Sequence, residues 1–289
     1  MHAQPLAVIP VANQLGEGIV WDAHGQAFVW TDILGCKLYR LVWGTDTPTA
    51  IDLPERLGSF ALTSDPLVII AAFASGFARY HLVTGNCEWL ARPDLPDGVR
   101  FNDGRTDRMG RFVAGTMVED AARAGGTDCG VLYRLEEDHS LSTLLHGFHI
   151  SNSLCWSPDG RIMYHADSPA QAITAYSYDV AGARYQKVIA AFDDGHPDGA
   201  VVDAAGRIWV AMWGAGCIAV LDAAGARLMT IPVGASQPTC PALGGPNLDI
   251  LAVTSARTDL SDEDLAQQPQ AGALFLFKTN AVGLVEPPA

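Results

Sequence analysis

The chain has 289 residues, 49% hydrophobic and 17% charged, with 18 Lys and Arg against 32 Asp and Glu. That is the composition of a globular protein, and the formal charge of −14 excludes a general phosphate-backbone binder and a protein that docks on anionic lipid. The longest clean apolar run, residues 67–74, is too short for a membrane helix, and the opening residues lack the basic start and apolar segment of an export signal. The expected location is therefore cytoplasmic, with no nucleic-acid or membrane partner.

Residues 6–11 predict one strand that belongs to no repeat. From residue 18 onward a single pattern recurs. A short apolar strand runs into an Asp-x-x-Gly turn or a weaker version of it, and a second apolar strand leaves the turn. The turns begin at Asp22, Ser64, Asp107, Ser157, Asp203 and Gly245, at intervals of 42 to 50 residues. A third strand follows in each copy (36–43, 76–83, 130–135, 172–179, 216–222 and 272–278). A fourth closes the first five copies (49–53, 87–91, 141–146, 185–191 and 227–233). Alternation, β-branched residues and Gly/Asp/Asn turns at this spacing predict hairpins.

Four strands per unit, six times, predict an all-β, six-bladed propeller as a single domain over residues 1–289. The sixth unit lacks a firm fourth strand, so residues 6–11 are expected to supply it and close the ring. Residues 282–286 could compete for that place. The six cysteines contain no Cys-x-x-Cys pair and are expected to be free thiols. Trp21, Trp156 and Trp209 are expected to pack between blades.

The first strand of each propeller blade lines the central channel. Five residues before each turn stand Glu17, Ser59, Asn102, Asn152, Asp198 and Cys240, which equivalent registers would set round the axis at one height. Two carboxylates converging there repel unless a cation lies between them. Glu17 and Asp198 flanked by Asn152 are hard oxygen donors, better suited to Mg²⁺, Ca²⁺, Mn²⁺ or Fe²⁺ than a thiolate or all-His zinc site would be. One divalent ion is expected, Zn²⁺ also remaining open. The competing reading is that polar strand ends cap loops and meet water.

The stretches LGEGIVWD (15–22), RFNDGRTDRMGRFVAGTM (100–117), ISNSLCWSPDG (150–160), HPDGAVVDAAGRIWVA (196–211) and PTCPALGGPNLDILAVTSAR (238–257) resemble the regucalcin/gluconolactonase/luciferin-regenerating enzyme family of six-bladed propellers. Within it the chain looks most like the bacterial sugar-acid lactonases. The resemblance implies metal ligation by Glu17, Asn152 and Asp198, and substrate binding by Arg100, Asn102 and an acidic residue after Gly-Thr-Met, either Glu119 or Asp120. It implies hydrolysis of a five- or six-carbon aldonolactone such as xylono-, arabino-, galactono- or gluconolactone. Asp198 is then the candidate general base. Cys155 and His196 depart from the usual family residues and bear on specificity.

Two other functions stay open at this point. The same oxygen ligands serve aryl ester or organophosphate hydrolysis, and a propeller can be a non-catalytic calcium-binding scaffold. No Gly-x-Ser-x-Gly elbow is present, Gly214 and Gly216 lack the third glycine of a dinucleotide loop, and the acidic run from Asp259 to Asp264 lacks the central glycine of a calcium loop. Ser261 reads instead as a helix N-cap. The sequence leaves the oligomeric state open.

Overall fold

The structure, a computed structural model, describes residues 4–289. Twenty-four strands form six four-stranded antiparallel sheets. The inner strands are Gly16–Asp22, Leu57–Leu62, Val99–Thr106, Ser151–Trp156, His196–Val202 and Pro238–Gly244. Each packs against the next, and the sixth against the first, which makes the ring of a six-bladed propeller. In the first five blades the strands follow one another outward in chain order.

The ring closes as the unassigned N-terminal strand suggested. Ala7–Ile9 pairs antiparallel with Leu274–Lys278, with Ala7 opposite Leu276 and Ile9 opposite Leu274. The strand is shorter than the six residues expected. Residues 282–286 do not compete for this edge. They leave the sheet and run beneath the ring, where the Gly283 amide donates to the Leu248 carbonyl at 2.7 Å.

The recurring turn has a simple cause. In Asp-x-x-Gly-Arg the aspartate folds back on its own loop. Asp107 Oδ1 accepts from the Met109 and Arg111 amides, and Asp203 Oδ1 from those of Ala205 and Arg207. Gly110 and Gly206 then take φ of +85° and +80°, values an L side chain rarely adopts. The core lies between blades. Trp21 packs with Cys240 and Ala242 across the first and sixth blades, Trp156 with Val113 and Leu132 across the fourth and third, and Trp209 with Leu243 and Leu251 across the fifth and sixth. Truncating one such ring to Ala would cost about 3–5 kcal/mol.

All six inner strands carry one extra residue near the same end, seen as register shifts at 17/20, 57/59, 101/104, 152/155, 197/200 and 238/241. A bulge bends its strand and re-aims the side chains beside it. Here the bulges ring one mouth of the channel and turn polar side chains toward the axis. All six cysteines are free thiols. No helix among the described residues is long and apolar enough to cross a membrane.

Candidate active site

The bulged mouth opens into a cavity of about 400 Å³. Glu17, Asn102, Asn152 and Asp198 form its polar floor, and Arg100 and Glu119 stand on one wall. Leu15, Leu34, Met117, Ile150 and Trp213 form the apolar remainder. Four of the six residues expected at one height are thus brought together. Ser59 and Cys240 are not; both sit lower in the channel, beneath the cavity. Ser59 Oγ lies where a side chain on Gly104 would begin, and Cys240 Sγ where one on Gly199 would begin, so those glycines give them room to pack downward.

The backbone that carries the floor is clamped from the second strands. Asp32 ends the second strand of the first blade, and its carboxylate accepts from the Gln14 and Leu15 amides at 2.9 Å each. Asp167 does the same in the fourth blade for the His149 and Ile150 amides. Each clamp fixes the loop just before a floor residue, Glu17 in one blade and Asn152 in the other. Gly18 and Ser153, which follow those residues, have φ of +57° and +54°. For Ser153 that conformation is uncommon, and its hydroxyl is tied down by donating to the Asp198 carbonyl at 2.6 Å.

Glu17 and Asp198 are 7% and 6% exposed, and their carboxyl groups lie within hydrogen-bonding reach of each other. Burial, reinforced by the nearby Asp103, pushes the Glu17 carboxyl up to about 8. Burial and the charge of Glu17 likewise push Asp198 well above the usual carboxylate range. Two such groups are not both ionised at neutral pH without a cation between them; otherwise the pair keeps a proton.

The neighbouring amide is turned to help. Asn152 Nδ2 donates to Ser168 Oγ at 2.8 Å, and that hydroxyl donates onward to the Pro197 carbonyl at 2.7 Å. This leaves Asn152 Oδ1 to the cavity side, where it accepts from Asn102 Nδ2 at 3.2 Å and keeps a lone pair. Among the described residues no group of three or more His, Cys, Asp or Glu side chains could hold a metal ion. The set present is two carboxylates and an amide oxygen, an all-oxygen donor set that fits a hard divalent cation.

Arg100 is 4% exposed and fully engaged on one side. Its Nε donates to Glu119 Oε1 at 2.6 Å, and its Nη1 to the Phe101 carbonyl and to Asn102 Oδ1, both at 2.9 Å. Glu119 is also held by Arg56 Nη1, at 2.8 and 2.9 Å. Burial alone would raise the Glu119 carboxyl, but the Arg100 and Arg56 guanidiniums outweigh it and hold the group below its ordinary value. Glu119 is therefore an anion at the cavity wall. Asp120 is placed differently. Its Oδ1 accepts from the Ala122 and Arg123 amides as the N-cap of the short helix Ala121–Ala124, and it does not line the cavity.

His196 lines the cavity with Nδ1 3.1 Å from the Ser168 carbonyl oxygen, whereas Cys155 is buried behind the wall. Ser261 caps the helix Asp262–Gln267 with a reciprocal Ser261–Asp264 capping box, as its place before three acids suggested. Sequence reasoning assigned no role to Arg56, Ser168 or Asp103. Arg56 reaches Glu119 in the next blade, and Ser168 links Asn152 of its own blade to the Pro197 carbonyl of the fifth, contacts that no local pattern reveals. Asp103 follows Asn102 directly, and only a bulge lets two consecutive residues both face inward.

The chain is similar to known proteins along nearly its whole length. It is 38% identical over 278 residues to the L-arabinolactonase of Azospirillum brasilense, covering 94% of this chain and 91% of that one. It is 34% identical over 285 residues to the 6-deoxy-6-sulfogluconolactonase of Pseudomonas putida, covering 97% and 96%. Among solved structures, the calcium-binding protein regucalcin from Agrobacterium tumefaciens superposes with a TM-score of 0.90 at 31% identity, covering 99% of this chain and 96% of that one. Residues 15–257 match the SMP-30/Gluconolactonase/LRE-like region, and the chain belongs to that family.

Proposed function

We propose that this protein hydrolyses a five- or six-carbon aldonolactone to the free sugar acid, with one divalent cation held by Glu17, Asn152 and Asp198. The observation that carries this reading is the meeting of two buried carboxylates and an oriented amide oxygen on the floor of a cavity walled by Arg100 and Glu119. The two lactonase relatives support the sugar-lactone class. A bound divalent cation supplies a Lewis acid for the lactone carbonyl and lowers the pKa of water at the site.

The chain's own groups do the rest. Arg100 donates to the hydroxyl and ring oxygens of the substrate through Nη2, which makes no hydrogen bond among the described residues, while Asn102, whose Nδ2 is spent on the Ser151 carbonyl and Asn152 Oδ1, keeps a lone pair on Oδ1 to accept from a sugar hydroxyl. Glu119 accepts from a sugar hydroxyl while holding Arg100 in place. Asp198 takes the proton from the attacking water as its oxygen bonds to the carbonyl carbon. When the ring carbon–oxygen bond breaks, the same proton passes to the departing alkoxide. Arg100 opposes the negative charge that develops in between. This polar wall favours a hydroxylated substrate over an aryl ester.

The test is acid release from a panel of fresh aldonolactones, measured on chelator-treated protein and after adding back Ca²⁺, Mg²⁺, Mn²⁺, Fe²⁺ or Zn²⁺. Metal-restored hydrolysis that disappears in Asp198→Ala is the expected result. Background rates with every lactone and every ion would overturn the proposal.

A further inference from the structure

The far end of the channel holds a charged pair that the reaction above does not use. Arg105 lies on the inner strand of the third blade, two residues beyond Asp103 and farther from the cavity mouth. It is 5% exposed. It crosses the axis, because its Nη2 is 3.7 Å from Cys240 Sγ on the sixth blade, diametrically opposite. Its Nη1 donates to Glu286, and its buried Nε has no partner. Glu286 belongs to the segment that runs under the ring. That segment is tied to the fifth blade by the Ala204 amide and the Val282 carbonyl at 2.8 Å, and to the third by Arg108 Nη1 and the Val285 carbonyl at 3.2 Å. It is tied to the second by the Ala289 amide and the Leu62 carbonyl at 2.9 Å. It is therefore a strap over the channel's closed end, and Glu286 is the residue it sends upward.

The vertical order of charge along the axis matters. At the top are Glu17 and Asp198, below them Asp103, then the Arg105 guanidinium, and at the bottom Glu286. Asp103 is occupied by the Leu154 amide at 2.9 Å and makes no hydrogen bond to Arg105. Arg105 is thus a buried cation beside an acidic cluster, yet its one ionic hydrogen bond points away from that cluster. We propose that Glu286 is a positioning residue for the active site: by docking and neutralising Arg105 at the closed end, it keeps the charge of the acidic floor available to a divalent cation instead of to the protein's own guanidinium. This rests on the cation-site reading given above.

The charges give the proposal a sign. Removing Glu286 takes one negative charge from the channel and leaves Arg105 with only the acidic cluster to answer it. Both effects oppose a second cation at the floor. Removing both charges should restore the balance. Calorimetric titration of Ca²⁺ and Mn²⁺ into chelator-stripped protein, with a melting curve for each variant, is the experiment. We expect Glu286→Gln to bind roughly tenfold more weakly than wild type, a change of about 1.4 kcal/mol. Glu286→Asp should bind within a few-fold of wild type, and the double variant Arg105→Met with Glu286→Gln should recover most of the loss. A merely structural role predicts lower melting temperatures with affinity unchanged, and no recovery in the double variant. Unchanged affinity in folded Glu286→Gln, or a double variant as weak as the single one, would overturn the proposal while leaving the cation site standing. A wild-type protein that binds neither ion would overturn the cation site itself, and this inference with it.

Discussion

Replacing Glu17 by Gln separates the stability of the site from its chemistry. In the chelated wild-type protein the folded Glu17 carboxyl titrates at about 8, against an ordinary value of 4.5, chiefly because it is buried. A group raised in the folded state stabilises that state in full below its unfolded value, and the stabilisation is lost as pH climbs through the folded value. The window is therefore from about 4.5 to about 8. At about 1.4 kcal/mol per pH unit the loss across it is on the order of 5 kcal/mol. Unfolding entropies of about 2.1 cal/mol/K per residue convert that to a fall of roughly 8 °C in Tm for a chain of this size. Gln has the same shape and no charge, and its removal also relieves Asp198, whose carboxyl Glu17 helps to raise. Scanning calorimetry in chelator near pH 6 and again near pH 9 should show the wild-type Tm falling more steeply than the Glu17→Gln Tm, which still carries the buried Asp198 carboxyl. In the same variant divalent-cation binding should be lost. Parallel Tm curves for the two proteins would refute the reasoning, because the burial of an ionised acid would then not be what limits the metal-free fold.

Further outcomes follow from the same geometry. Asp198→Asn should keep the fold and lose about 10²–10⁴-fold in kcat, the range for a general base, read from initial rates of acid release under saturating metal; activity within threefold of wild type would remove Asp198 from that role. Arg100→Lys keeps the charge but cannot serve Glu119, Asn102 and the substrate at once, so kcat/KM should fall about 10–100-fold, and wild-type kcat/KM in the variant would count against the wall. Gly58→Ala would set a Cβ 2.7 Å from the carbonyl oxygens of both Phe101 and Asn102, which are backbone atoms and cannot swing aside. A loss of about 2–4 kcal/mol in urea unfolding is expected, and an unchanged midpoint would mean the bulges tolerate being spread.

The propeller was legible because each blade repeats one turn at one place, in the first, third and fifth an aspartate folded onto its own loop, and a local device leaves a local signature. The convergence of Glu17, Asn102, Asn152 and Asp198 was legible for the same reason, since a fixed distance from that turn sets their height. The prediction failed for Ser59 and Cys240, where glycines on the neighbouring strands let the side chains sink below the floor. It could not choose between Glu119 and Asp120, because the choice is made by Arg100 and Arg56 on one side and two helix amides on the other. Arg105 and Glu286 were invisible as a pair. They lie 181 positions apart and meet only because residues 282–286 pass under the ring rather than along its edge.

The sixth blade is sewn from both ends of the described chain, and this carries a consequence for how copies of the protein meet. Until Ala7–Ile9 docks, the edge formed by Leu274, Phe275 and Leu276 is open, apolar and ready to accept any strand of matching register. The strand that matches best is the same three residues from another copy. Exchange of Ala7–Ile9 between two molecules would rebuild every native hydrogen bond of the seam and need no new interface, so concentrated or partly denatured protein should yield a reciprocal swapped dimer. The suture that removes a free edge from the monomer is thus also the place where two monomers can be stitched together.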